Sequence, residues 1–301
     1  MAANGKPEAA FLLPVALLVF NAFIWGVSWW PFRQLNALGL HSLWATGFAF
    51  AFATLLITLW RPGAWRALAA RPGLAWLVLA SGVTNVAFSW GVMIGEVVRV
   101  VLLFYLMPVW AALLARWLLG ERITAAILGR IVLALAGAAI VLYQPGMGLP
   151  LPSGLADWLG LSGGVAFATV NVLLRRNAAA SDEARTLALF VGGGAVALPL
   201  AALLASSGAI AAVPAPAPAW IAGAAALALA LLAGNVALQH AAARLPASVT
   251  ALVMLSEIVF AALSSVWLGG EPLEPRTLAG GAMIVLAAAL AAVLQRGRIG
   301  D

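Results

Sequence analysis

Asn85-Val86-Ala87 returns 150 residues later as Asn235-Val236-Ala237, and Ala111-Ala112-Leu113 returns as Ala261-Ala262-Leu263. Trp117-Leu118, followed by Gly120-Glu121, returns as Trp267-Leu268, followed by Gly270-Glu271. Aligned without a gap, residues 85–121 and 235–271 agree at 12 of 37 positions. Both copies lie in strongly apolar sequence. Internal duplication in a multi-span membrane chain is a mark of many secondary transporters.

Working outward from this repeat, composition sets the solvent. The 301 residues are 64% hydrophobic and 9% charged, whereas a soluble domain is roughly 25% charged. Too little polar surface is present to cover a water-facing globule. Runs near the length that spans a hydrocarbon slab recur along the chain. They lack the strict alternation of a transmembrane barrel. With no cysteine, disulfides and thiolate metal sites are excluded. The net charge of +6 is not gathered on a soluble face, which argues against a nucleic-acid partner. Lys6 is the only Lys, and together with abundant Ala and Gly this points to a GC-rich bacterial source.

Hydropathy and Pro/Gly joints predict helices at 11–30, 39–59, 74–92, 98–118, 124–143, 157–174, 186–206, 219–239, 247–268 and 277–294. The joints include Arg61-Pro62-Gly63, Arg71-Pro72-Gly73, Gln144-Pro145-Gly146 and the Pro214–Pro218 run. The first run is too long for a signal-peptide core and has no clean cleavage site after it, so it counts as a span. With the N-terminus in the cytoplasm, Lys6, Arg61, Arg66, Arg71, Arg116, Arg122, Arg130, Arg175, Arg176, Arg185, Arg244, Arg296 and Arg298 fall inside. Arg33, Arg99 and Arg276 fall outside, a balance of 13 to 3. Positive residues concentrate on the cytoplasmic side. The expectation is an all-α integral membrane protein with ten transmembrane helices and both termini cytoplasmic. Five helices separate each motif from its copy, an odd number, so residues 157–294 repeat residues 11–143 upside down. Such inverted repeats can exchange conformations around a central site.

These features resemble the drug/metabolite transporter superfamily, in its ten-helix EamA-type branch. The resemblance rests on Trp25-Gly26-Val27-Ser28, on Met107-Pro108-Val109-Trp110-Ala111-Ala112-Leu113 with Trp117-Leu118-Leu119-Gly120-Glu121, and on Ser256-Glu257-Ile258-Val259-Phe260-Ala261-Ala262-Leu263. Ile258 stands where the family often has Pro. Within the superfamily the chain looks most like bacterial exporters of aromatic and other amino acids. That resemblance implies a monomeric inner-membrane carrier, with a cavity lined largely by helices 1, 3, 4, 6, 8 and 9. Amino acids and the lipid bilayer would be its partners, with no cofactor and no metal.

Glu257 is the sharpest candidate residue. A carboxylate near the middle of a span costs roughly 2.5–3.5 kcal/mol on insertion scales, so it should face the interior. Thr250, Met254, Glu257, Ala261 and Ser264 fall on one face at helical spacing. The functional reading is a proton carrier or a counter-ion for a substrate ammonium. The structural alternative is a carboxyl bonded to neighbouring helices. Asn85 and Ser89 are four apart, as are Asn235 and Gln239, and Asn21, Trp25 and Ser28 share a face. Such stripes either line a cavity or join helices by hydrogen bonds. Pro108, in mid-helix, would free a carbonyl and serve as a hinge or a static kink. Trp25, Trp90, Trp110 and Phe104 are deep enough to line an aromatic pocket. Trp29, Trp30, Trp60, Trp65, Trp117, Trp158, Trp220 and Trp267 should form interfacial belts. His41 and His240 lie at span ends, where capping or solvation is expected. Glu121 and Glu271 should fix loop geometry, pairing Arg122 or Arg276.

Other functional classes lack their chemistry. No Gly-x-Ser-x-Gly elbow or metal-spaced cluster supports an intramembrane enzyme, no mid-span Lys a retinal protein, and no charged ring a channel. Two alternatives to amino-acid export stay open. One is efflux of lipophilic cations held by Glu257; the other is a receptor or assembly subunit without flux.

Overall fold

In lipid each apolar run must satisfy its own backbone hydrogen bonds, which a helix does. The computed structural model describes residues 6–120, 123–143, 151–242, 244–245 and 247–296. Among these the regular elements are helical. They are α1 (Lys6–Val27), α2 (Trp29–Ala37), α3 (Ser42–Trp60), α4 (Ala64–Ala69), α5 (Leu74–Ile94), α6 (Val97–Phe104) and α7 (Met107–Leu119). Then follow α8 (Ala125–Leu142), α9 (Leu155–Arg176), α10 (Asp182–Ser206), α11 (Pro218–Ala242), α12 (Ala247–Met254), α13 (Ser256–Gly269) and α14 (Pro275–Arg296). Side chains start three of them: His41 accepts a hydrogen bond from the Leu43 amide at α3, Thr124 from the Ile127 amide at α8, and Ser181 from the Ala184 amide at α10.

Among the described residues, eight stretches are long and apolar enough to cross a membrane. They are Leu12–Ala37, Ser42–Trp60, Leu74–Ile94, Val97–Leu118, Ala125–Leu142, Leu155–Arg176, Asp182–Ser206 and Pro218–Ala241. Two shorter apolar helices, Ser256–Gly269 and Pro275–Leu290, follow. The protein is an all-α, multi-span membrane protein. Trp117 and its copy Trp267 are 80% and 88% exposed, as residues facing lipid and headgroups should be. Trp29 departs from the expected belt. It is buried, and its indole N–H donates to Ser264 Oγ at 2.8 Å, joining α2 to α13.

Three spans read as continuous helices are interrupted. The first breaks at Ser28, whose hydroxyl turns back to the Trp25 carbonyl, and then continues as α2 to Ala37. Buried Phe32 and Leu35 keep a helical period through residues expected to be loop, so Arg33 lies on a helix. The fourth breaks at Tyr105-Leu106 and the ninth at Leu255. The breaks at Tyr105 and Leu255 are 150 residues apart. Shifting α6 by 150 residues gives 247–254, the bounds of α12; shifting the start of α8 gives 275, the start of α14. Gly120 and Gly270 end α7 and α13 with φ +71° and +64°, left-handed positions that favour glycine.

Packing repeats this correspondence. α5 packs on α9 and α10, while α11 packs on α1 and α3. α9 also meets α6 and α7, while α1 meets α12 and α13. α3 lies against its counterpart α10, and α8 against α14. The last crossing is backbone on backbone. A Cβ added at Gly137 would lie 2.6 Å from the Gly280 carbonyl oxygen, and one at Gly280 would lie 2.5 Å from that of Gly137.

The three arginines assigned outside gather at one end of the bundle. Arg33 bonds the Val92 and Gly95 carbonyls and pairs with Glu271 at 2.8 Å, while Glu271 also accepts the Val97 amide at 2.8 Å. Arg99 grips both carboxylate oxygens of Asp157 at 2.7 and 2.8 Å and donates to the Val141 carbonyl. Arg276 pairs with Glu274 and donates to the Tyr143 carbonyl. Glu271 therefore pairs with Arg33 rather than Arg276, because the extension of α2 carries Arg33 to it. Glu121, Arg122 and the 144–146 joint lie outside the described residues. Elsewhere Arg61 pairs with Glu183 at 3.4 Å and Arg71 donates to the Ala179 carbonyl, both among exposed side chains.

Candidate functional site

A helix interruption in a membrane span strands backbone groups that lipid cannot satisfy. The two matched breaks solve this together. At the first, the Leu106 and Val109 amides bond only three residues back, to Leu103 and Leu106. Pro108, placed mid-helix by sequence, sits in the first turn of α7. A missing N–H is harmless there. The discontinuity therefore lies at Tyr105-Leu106, before the proline. At the second, the Ile258 amide takes the Leu255 carbonyl at 3.1 Å, one residue short of its helical partner Met254. No proline is present, yet the helix breaks at Leu255.

Tyr105 connects the two. Its side chain is 3% exposed, and its hydroxyl lies 2.8 Å from Glu257 Oε2 and 3.1 Å from the Met254 carbonyl oxygen. Glu257 is the second residue of α13 and is buried. Asn21, fully buried on α1, donates to the Met254 sulfur at 3.4 Å, and its Oδ1 has no partner. Thr250 Oγ1, one turn before the break on α12, is also buried and unpartnered. An aromatic chain leads into this cluster. Trp25 meets Phe88 edge-on at 5.7 Å, Phe88 meets Phe104 at 5.5 Å, and Phe104 meets Phe167 at 5.5 Å and Tyr105 at 6.4 Å.

The structure thus gathers Asn21, Trp25, Phe104, Met254 and Glu257 around the breaks. Trp110 lies on α7, packed against the same apolar core, with its indole nitrogen buried and unpartnered. The paired amide stripes are engaged elsewhere. Asn85 donates to the Ser81 carbonyl and Asn235 to the Leu231 carbonyl, the same four-residue back-bond in both copies. Ser89 accepts from Thr46 at 2.7 Å, joining α5 to α3. Gln239 accepts from Thr186 at 3.0 Å, joining α11 to α10. Among the described residues, no group of three or more His, Cys, Asp or Glu is placed to hold a metal ion.

Tyr105 escaped the sequence reading. Its signal was present: it is one of two tyrosines, set in mid-span at the duplicated position of Leu255. The Arg99–Asp157 pair escaped it too, because opposite charges at the ends of α6 and α9 meet only once those helices pack.

Residues 12–143 match the EamA-like transporter family, nearly the extent of the first repeat read from sequence. That match is a likeness of the first half of the chain to a family of transporters. No curated protein matches the chain. Among the solved structures that share its fold is a crystal structure with 18% identity, a TM-score of 0.56, and coverage of 98% of this chain and 99% of that one.

Proposed function

We propose that the protein is a secondary transporter that exports amino acids, aromatic ones included, across the bacterial inner membrane by alternating access. The observation that carries this reading is the pair of interrupted helices, broken at Tyr105 and Leu255 and joined at Glu257. Discontinuous helices meeting at a repeat interface form the substrate and ion sites of many such carriers. The match to a transporter family over the first half supports the class.

In this proposal the chain crosses the membrane ten times, with Ser256–Gly269 and Pro275–Leu290 completing the count. Residues 11–143 and 157–294 are inverted halves of a monomer with both termini in the cytoplasm. The matched packing of α5 with α9 and of α11 with α1 supports the two halves. The meeting of Arg33, Arg99 and Arg276 at one end supports assigning their loops to one side. Glu257 carries a proton or balances the substrate ammonium. The aromatic chain through Trp25, Phe88 and Phe104, with Trp110 nearby, provides an adaptable wall for a bulky side chain.

The test is uptake of labelled Trp, Phe, Met and Thr into proteoliposomes, beside a lipophilic cation dye. Native protein should move all four amino acids. Glu257→Gln should abolish most flux, Asn21→Ala should weaken all substrates together, and Trp110→Ala should hurt Trp and Phe most. A second reading, efflux of lipophilic cations, draws on the same carboxyl group set beside aromatic faces. Dye transport without amino-acid flux would replace the first reading with this one. Binding without flux of either would leave a receptor or assembly subunit.

A further inference from the structure

Tyr105, which joins the two breaks, has more neighbours than its one proton can serve. A phenol donates one hydrogen bond and accepts others, an ionised carboxylate only accepts, and a protonated carboxyl also donates. Its oxygen lies between Glu257 Oε2 at 2.8 Å and the Met254 carbonyl at 3.1 Å. When Glu257 is ionised, the Tyr105 O–H must point to the carboxylate, and the Met254 carbonyl loses that donor. When Glu257 is protonated, its O–H can donate to Tyr105 Oη, and the Tyr105 O–H is released to the Met254 carbonyl. One proton therefore reverses a two-bond chain.

The carbonyl at the end of that chain is a special one. Met254 is the last residue of α12, and its helical partner, the Ile258 amide, bonds Leu255 instead. Within lipid such a carbonyl is costly to leave bare. We propose that Tyr105 is a positioning residue that converts the protonation of Glu257 into the state of the α12–α13 break. The break is held when Glu257 carries its proton and loosened when it does not. This inference rests on the transport reading for its biological use, but its geometry does not depend on the substrate.

Neighbouring charges leave this chain to act alone. α13 packs on α1, α6 and α12. Glu257 is the one charged residue of α13, and α12 has none. The described side chains of α1 bring amide and aromatic groups, Asn21 and Trp25, rather than charge. The one charged residue of α6, Arg99, is committed to Asp157 and the Val141 carbonyl. Tyr105 is the titratable group in hydrogen-bond contact with Glu257.

The chain contains no cysteine, so a single introduced thiol reports without background. Ser256→Cys places one at the first residue of α13 with little change of volume. Its rate of maleimide labelling, corrected for thiolate fraction with a free thiol standard, is measured from about pH 5 to about pH 9 in liposomes without substrate. Expected in the Ser256→Cys parent is a corrected rate about fivefold slower at the acid end, the factor one ordinary hydrogen bond gives. Glu257→Gln keeps an N–H donor towards Tyr105 and should hold the slow rate at every pH. Tyr105→Phe keeps the ring and should hold the fast rate at every pH. Glu257→Asp, with its carboxyl withdrawn, leaves the Tyr105 O–H to the Met254 carbonyl and should behave like Glu257→Gln.

Opposite plateaus in Glu257→Gln and Tyr105→Phe support the relay. A flat parent profile, a native pH profile in Tyr105→Phe, or the same plateau in both variants would overturn it. Loss of amino-acid flux with opposite plateaus intact would instead refute the substrate reading and leave the relay standing.

Discussion

At the scale of single residues, position in sequence identified the costly groups and the structure supplied their partners. Glu257 was legible because a carboxyl group inside an apolar span must turn inward. Tyr105 was not, because its importance lies in two oxygens brought to it by another helix. His41 was read as a span-end residue and is a cap: its Nδ1 accepts the Leu43 amide at 3.2 Å, with the ring edge-on to Trp90 at 5.7 Å. Burial holds this imidazole below its usual pKa. The neutral ring therefore favours the fold: the stabilisation is full above the ordinary value and is lost as pH falls through the lowered one. A cap is worth about 1 kcal/mol. His41→Asn retains a capping side chain without the titration, so the native protein should lose more Tm than the variant between about pH 7.5 and about pH 5. Thermal unfolding of both in detergent measures this, and parallel losses would remove His41 from the acid response.

At the scale of elements, close helix crossings depend on small residues at particular positions rather than on overall composition. Of the glycines in α8, Gly137 is pressed against the Gly280 backbone, whereas a Cβ at Gly129 would meet nothing within 4 Å. Gly137→Ala must push α14 away, at a cost of about 1–3 kcal/mol for overpacking. Gly129→Ala relieves a helix-interior glycine and should be neutral or stabilising by up to about 1 kcal/mol. Tm values for the two variants should move in opposite directions or differ by several degrees; equal values would mean that α8 and α14 adjust freely at this crossing. Sequence showed many glycines in apolar runs but not which ones touch, since contact depends on the rotation of both helices. The breaks follow the same logic. Ile258 in place of proline gave no reason for the ninth span to bend, yet α12 and α13 separate at Leu255, where the Tyr105 hydroxyl holds the freed carbonyl.

At the scale of the whole molecule, ion pairs join parts of the chain far apart in sequence. Arg33 with Glu271 and Arg99 with Asp157 each join a residue of 11–143 to one of 157–294, and both lie at the same end of the bundle. Proposed inversion of the halves makes a definite demand on topology. Reporter fusions after Asp301 and within the 208–218 loop should read opposite faces, with the C-terminal one cytoplasmic. Equal readings at the two points would end the ten-span inverted arrangement, whatever the substrate.

Sequence alone determined the solvent and the elements of this protein. Its lack of charge excludes a water-facing globule, its apolar runs must become helices in lipid, and its motifs recur 150 residues apart. These follow from local chemistry, because hydropathy and backbone satisfaction act on each segment separately. Tertiary structure alone decided where the helices break, that Trp29 turns inward to Ser264, and that Glu271 takes Arg33. It also decided that the Asn85 and Asn235 amides bond their own helices while Tyr105 bridges Glu257 and Met254. Each of these is a choice of partner for a polar group that lipid cannot satisfy; for Trp29, Glu271 and Tyr105 the partner comes from a helix far away in the chain, in a direction set by how the helices pack.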